Sequence, residues 1–246
     1  MDLELYHGYP IILKSLLHIS FSKGFRVEST YTKNHNQTVI RSKNKPEWQC
    51  FYKLFEVAFD TNTIPTPVYQ ETGGEGPINS KIGVVLGASF NWPQKQWPLD
   101  FYRETMQTLA NKGFEFIIFG LEYERNMAEE LKTTVTAKIE NTAGQLNFSR
   151  LKTTIKQCRL IFGNDTGTMH LAAACGIPTV TIFGPTNEKK WNADTSLPVF
   201  SDINCRPCYY LSSMPNCSHR NCLVKLTPDR VIEAIISQIK YSSPND

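Results

Sequence analysis

The stretch Leu160-Ile-Phe-Gly-Asn-Asp-Thr-Gly-Thr-Met-His-Leu-Ala-Ala-Ala-Cys-Gly-Ile-Pro-Thr-Val-Thr-Ile-Phe-Gly-Pro-Thr186 decides the fold class. Residues 160–162 end a short apolar strand, and Gly163 and Gly167 bracket a turn that glycine's open φ makes easy. Residues 168–175 predict a helix built on three consecutive alanines, which are strong helix formers. Gly176 stands where a C-cap glycine belongs, and Pro178 forbids continuation. Residues 179–183 are a β-branched run suited to a buried parallel strand. A strand, turn, helix and strand this compact set the turn at the C-terminal edge of a parallel sheet, where α/β proteins bind their ligands.

The same alternation extends outward. Residues 82–86 predict a strand ending in the small-residue turn Gly87-Ala88-Ser89, and residues 99–112 an amphipathic helix opening after Pro98. A strand over 114–119, a helix over 124–134, a short segment from Ile139 and a helix over 148–158 capped by Ser149 lead into the central stretch. A last helix over 228–241 begins Thr227-Pro228-Asp229, an N-cap followed by proline at the first helical position. Strands alternating with helices of this length imply an α/β fold with a parallel sheet and right-handed crossovers. The chain before it is more weakly patterned: helices over 11–21 and 48–59, a polar, basic loop or short strands over 31–46, and a proline- and glycine-rich linker over 61–77. Two domains follow, 1–77 and 78–246.

Composition narrows the class. A net charge of +3 with no Lys/Arg block or arginine–aromatic interleaving does not point to nucleic acid. No stretch approaches the roughly 20 apolar residues of a membrane span, and the start Met-Asp-Leu-Glu lacks a signal peptide's basic region, so a cytoplasmic protein is expected. Of seven cysteines, Cys50, Cys158 and Cys175 lie among apolar neighbours and read as small buried hydrophobes. Cys205, Cys208, Cys217 and Cys222 are clustered. They fit either free, redox-sensitive thiols in a loop or, less well given the wide spacing of the second pair, a four-thiolate zinc site with His219 as a spare ligand.

The central turn carries groups suited to phosphate and sugar. A helix N-terminus offers free amides and the positive end of the dipole. Asp165, Thr166, Thr168 and His170 surround it, and Gly167 lets a ligand approach the backbone. The plainer alternative has Asp165 and Thr166 capping a helix and His170 on the surface. An aspartic-protease reading of Asp165-Thr166-Gly167 needs two such carboxylates, and the chain has a single Asp-Thr-Gly.

The run from Gly163 to Thr186 resembles the signature of the ADP-heptose:lipopolysaccharide heptosyltransferases, glycosyltransferase family 9. The resemblance covers roughly residues 81–241. It implies the two-domain GT-B fold, with a Rossmann-like C-terminal half for the nucleotide-sugar donor and an N-terminal half for the acceptor. It implies an inverting, metal-independent sugar transfer, with no cofactor, from ADP-heptose to a lipopolysaccharide inner-core acceptor at the inner membrane surface. Lys95, in Lys-x-Trp-Pro, matches the lysine that contacts the donor phosphates; on charge alone it would read as a solvated surface lysine. Gly87, Ala88 and Ser89 could add amides or a hydroxyl. Glu124 matches the glutamate on the adenosine ribose, with Glu122 close enough to compete. Gln145 and Leu146 match the adenine-lining segment, although Leu146 reads equally well as core. Asp165 matches the aspartate that holds sugar hydroxyls; Thr166, Gly167 and Thr168 would contact phosphate, and His170 would stabilise the leaving diphosphate.

The family's base, a carboxylate after the first strand of the acceptor domain, has no clear counterpart. Asp2, Glu4, Glu28, Glu47, Glu56 and Asp60 are the carboxylates before the linker, and none sits in the family's glycine-rich context. The acceptor domain reads as truncated. Two functions therefore stand: a heptosyltransferase, or a nucleotide-sugar-binding remnant that does not turn over or works with a separate chain.

Overall fold

The computed structural model describes residues 23–27, 37–41, 80–88, 92–193, 195–209 and 216–241, the first two segments as backbone only. The helices expected over 11–21 and 48–59 and the linker over 61–77 lie outside these residues, as do Ser89 and Cys50. The chain divides into two compact units, Met1–Val68 with Lys189–Trp191, and Tyr69–Glu188 with Asn192–Asp246.

In the first unit, strands β1 (Lys23–Val27) and β2 (Gln37–Arg41) pair in parallel, Phe25 opposite Val39. β2 falls in the segment read as loop or short strands; β1 has too little apolar character to stand out.

The second unit holds a parallel sheet of β3 (Lys81–Val85), β4 (Glu115–Phe119), β5 (Ile139–Asn141), β6 (Leu160–Asn164), β7 (Thr179–Phe183) and β8 (Ser196–Phe200). The spatial order is β5-β4-β3-β6-β7-β8. Winding runs outward from β3 in one direction and from β6 in the other, so the switch point falls between β3 and β6, where a doubly wound sheet leaves a crevice at its C-terminal edge.

Between its strands run α1 (Leu99–Ala110), α2 (Arg125–Thr134), α3 (Phe148–Ile155) and α4 (Gly167–Ala174); the short α5 (Glu188–Trp191), most of which groups with the first unit, precedes β8, and α6 (Asn221–Val224) and α7 (Pro228–Tyr241) follow it. Strand side chains alternate between the sheet faces, and each face has its own core. Ile82, Val84, Phe116, Ile118, Leu160 and Phe162 pack with Tyr102 and Met106 of α1, Leu131 of α2, and Val231 and Ile235 of α7. Val85, Ile117, Phe119 and Ile161 pack with Ile155 of α3 and Met169 and Ala172 of α4, and Cys158 and Cys175 are buried here as small hydrophobes. Gly163 is required where β6 meets β3: a Cβ there would lie 2.1 Å from the Val85 carbonyl oxygen, at a φ of 154°.

Local corrections are small. α3 is capped by Asn147, whose side chain accepts from the Arg150 amide at 2.9 Å, not by Ser149, which lies inside the helix. A one-turn 3-10 segment, Glu122–Glu124, precedes α2. β1, β8, α5 and α6 went unforeseen.

Candidate functional site

Three turns meet at the C-terminal ends of β3, β6 and β7. The turn after β3 runs through Gly87 and Ala88 toward a 3-10 turn at Pro93–Lys95, closed by the Lys95 amide on the Trp92 carbonyl at 3.0 Å. Two bonds fix its far side. The Trp97 amide donates to Asn164 Oδ1 at 3.1 Å, and the fully buried Trp97 indole donates to the Leu226 carbonyl at 3.0 Å. Asn164 spends its amide nitrogen on the Leu86 and Gly87 carbonyls, at 2.6 and 3.3 Å. A single buried amide at the end of β6 thus bonds both described ends of the turn after β3, at Leu86–Gly87 and at Trp97, every contact to backbone.

Lys95 is held by the next residue of β6's exit. Its Nζ donates to the Asp165 carbonyl at 3.0 Å and lies 3.2 Å from Asp165 Oδ2. Tyr209 places its ring 5.9 Å from the same ammonium and packs edge-on to Trp92. The Thr186 hydroxyl, from the turn after β7, donates to Asp165 Oδ2 at 2.8 Å. His170 Nε2 stands 3.7 Å from Oδ1, at ion-pair distance. Burial works to raise the Asp165 carboxyl pKa, but the His170 ring, the Lys95 charge and the Thr186 hydroxyl together outweigh it and hold the pKa below the usual carboxylate value. Asp165 is therefore an ionised, nearly enclosed anchor for two basic groups.

α4 begins beside this anchor. Its first amides have no acceptor within the helix. Thr166, at the N-cap, makes no capping bond, and its hydroxyl is enclosed without a hydrogen-bond partner. Thr168 is half-buried, and a Cβ built on Gly167 would meet no protein atom within 4 Å. The corner thus has donors, a positive dipole end and open space.

Glu124 is buried against the turns after β3 and β4. A Cβ on Gly87 would fall 1.5 Å from Glu124 Oε1, and one on Gly120 2.7 Å from Oε2. Oε2 accepts from the Leu121 amide at 2.7 Å. Burial raises the Glu124 pKa, and the bonds from Leu121 and Tyr123 oppose that rise only in part. Glu122, its competitor, is exposed and bound by the Arg125 guanidinium at 2.8 and 2.9 Å. Leu146 is half-buried and packs on the α3–α4 core, so its apolar body serves packing. Gln145 donates to the Asn141 carbonyl at 3.2 Å.

Cys205, Cys208, Cys217 and Cys222 are all free thiols, and among the described residues no three His, Cys, Asp or Glu side chains are grouped as metal ligands. Sequence reading assigned no role to Asn164, Thr186, Arg206 or Tyr209. The Gly184-Pro185-Thr186 turn was the available signal, since it leaves β7 at the same sheet edge as Asp165.

The model of glycosyltransferase family 9 (heptosyltransferase) matches residues 16–217. The chain belongs to this family. Lipooligosaccharide heptosyltransferase 2 of Haemophilus ducreyi is 35% identical over 197 residues, covering 69% of this chain and 56% of its own. The family member spans about half the length of the curated relatives it matches, or less. Its fold matches the Escherichia coli ADP-heptose LPS heptosyltransferase II with a TM-score of 0.69 at 21% identity, over 94% of this chain and 73% of the other. It also matches E. coli heptosyltransferase WaaC with ADP-2-deoxy-2-fluoro heptose, with a TM-score of 0.59 at 17% identity, over 82% and 59% of the two chains. These likenesses bear on fold, and they make the six-stranded sheet the Rossmann-like half of a GT-B architecture. No described helix is long and apolar enough to cross a membrane.

Proposed function

We propose that residues 78–246 form an ADP-sugar-binding domain, residues 1–77 an acceptor-side segment, and that the chain transfers heptose from ADP-heptose to a lipopolysaccharide inner-core acceptor. The observation that carries this reading is the corner at Asp165: an enclosed carboxylate holding Lys95 and His170 beside a helix N-terminus with open space at Gly167. The diphosphate would take the α4 amides, the Thr166 and Thr168 hydroxyls and the outward N–H of Lys95. Glu124 would accept the ribose hydroxyls, with the adenine beside Leu146. Asp165 could still offer Oδ1 to the sugar while Oδ2 holds Lys95. Relatives named for heptosyl transfer, and one of the same fold holding an ADP-heptose analogue, support the choice of donor.

In the transfer, an acceptor hydroxyl attacks the anomeric carbon from the face opposite the diphosphate. The glycosidic bond forms as the bond to the β-phosphate oxygen breaks, and the acceptor's proton would pass to a carboxylate on the acceptor side, a role assigned to no residue here. Negative charge grows on departing ADP, where fixed amides and cations are most effective. We place the work in the cytoplasm at the inner membrane surface, where such an acceptor would be presented.

One further reading is donor binding without turnover by this chain alone, since none of the carboxylates before the linker sits in the family's glycine-rich context. Calorimetric titration with ADP-heptose, ADP-glucose and UDP-glucose, followed by a transfer assay on a heptose-deficient core acceptor, separates the two. ADP-sugar binding with transfer supports the enzyme; binding without transfer supports the remnant; no preference for ADP-sugars overturns both. Lys95→Met should weaken ADP about tenfold or more, the value of one charge-assisted hydrogen bond.

A further inference from the structure

The turn after β7 presents Thr186 to Asp165, and it is held from outside by one side chain. Arg206 Nε donates to the Gly184 carbonyl at 2.9 Å, and its Nη2 donates to the Thr186 carbonyl at 3.1 Å and to Glu188 Oε2 at 2.9 Å. The guanidinium lies 4.5 Å over the Phe200 ring, and the side chain is only 6% exposed. The amides of Cys208 and Tyr209 both donate to the Pro185 carbonyl at 3.0 Å. Three successive carbonyls of one turn are therefore taken by residues 206–209. A planar fork suits this geometry, and a lysine's point charge does not reproduce it.

We infer that Arg206 is a positioning residue for the donor site: it fixes the Gly184–Thr186 turn so that the Thr186 hydroxyl stays on Asp165 Oδ2 and Asp165 stays aimed at Lys95. This rests on the proposed donor site. The geometry supports a relay rather than mere packing, because every link from Arg206 to Lys95 is a directed polar contact: guanidinium to turn, hydroxyl to carboxylate, carboxylate to ammonium. Thr186 is 1% exposed, so a displaced hydroxyl would find no water to replace its partner.

The charged and titratable groups facing Asp165 among the described residues are Lys95 and His170; the Thr186 hydroxyl is the neutral donor between them. Removing that donor takes away one of the contacts that lower the Asp165 pKa, so protonation sets in at higher pH. ADP binding that needs ionised Asp165 then fails at a higher pH than in the wild type.

The test is calorimetric ADP affinity across acid to neutral pH for the full chain and for Arg206→Lys, Thr186→Val, Thr186→Ser and the double variant Arg206→Lys/Thr186→Val. Arg206→Lys and Thr186→Val should each weaken ADP about tenfold at neutral pH and shift the acid limb upward. Thr186→Ser should keep both properties, and the double variant should bind no worse than Thr186→Val alone. An Arg206→Lys chain with wild-type affinity and limb, or a double variant whose losses multiply, overturns the relay while leaving the donor site standing. If Arg206→Lys does not fold, Thr186→Val decides alone, and an unmoved acid limb there overturns the inference. A wild-type chain that binds no ADP removes the donor site itself.

Discussion

Asp165 and Glu124 are two buried carboxylates at one sheet edge, and their pKa values move in opposite directions. Asp165 has a lysine, a histidine and a hydroxyl against it, which together overcome its burial. Glu124 has backbone and a tyrosine hydroxyl but no cation, so burial wins. Linkage then gives opposite slopes. The depressed Asp165 stabilises the fold above the usual aspartate range, and that contribution is lost as pH falls through its folded value. The raised Glu124 favours the fold while protonated, and stability declines as pH climbs from the usual glutamate range through the raised folded value. Glu124→Gln removes the second slope while its side-chain oxygen can still accept from the Leu121 amide. Urea unfolding midpoints for this variant should therefore fall less between pH 4 and 7 than those of the wild type. The same substitution should weaken ADP several-fold and abolish any preference for ADP over 2′-deoxy-ADP, measured by calorimetry. A variant with wild-type pH dependence and wild-type sugar preference would show that Glu124 is neither strained by burial nor placed on a ribose.

At the scale of elements, most of the second unit could be read from the chain, because β3, β4, β6 and β7 are apolar runs and α1 and α7 carry clear start signals at Pro98 and Pro228. β8 escaped because Ser-Leu-Pro-Val-Phe carries a proline that reads as a strand breaker. It is the edge strand of the sheet, where Pro198 sits opposite Thr181 and the missing donor costs no central ladder bond. In the candidate site, Asp165 and His170 stood out through local sequence and Lys95 only through the family resemblance; that the three side chains meet is visible in the structure. Asn164, Thr186 and Arg206 were not, since each acts through partners 18 to 78 residues away that only the sheet brings together. Packing makes its own prediction. Phe162 of β6 is fully buried and stacks near Tyr102 of α1 with centroids 5.9 Å apart. Phe162→Ala should cost about 3–5 kcal/mol in chemical denaturation, with the loss centred on the strand that carries Asn164 and Asp165. A loss below about 1 kcal/mol would mean that Phe162 does not anchor the core on this face of the sheet.

Across the whole molecule, the order β5-β4-β3-β6-β7-β8 gathers the ends of three strands that are far apart in the chain and opens the crevice between β3 and β6. At that edge Glu124 lies against Gly87 on the β3 side, Asp165 and α4 lie on the β6 side, and Lys95, from the turn after β3, bonds to Asp165. One position separates ligand space from protein packing. A methyl group on Gly167 meets no protein atom within 4 Å, so Gly167→Ala should fold as well as the wild type or gain up to about 1 kcal/mol from helix propensity. The methyl would stand where a diphosphate must approach the first amides of α4. Titration of ADP into the whole chain and its Gly167→Ala variant is therefore the most direct measurement. Tight ADP binding by the wild type, weakened at least tenfold in an equally stable variant, is the predicted result; equal affinity in the two chains would contradict a diphosphate seated on α4.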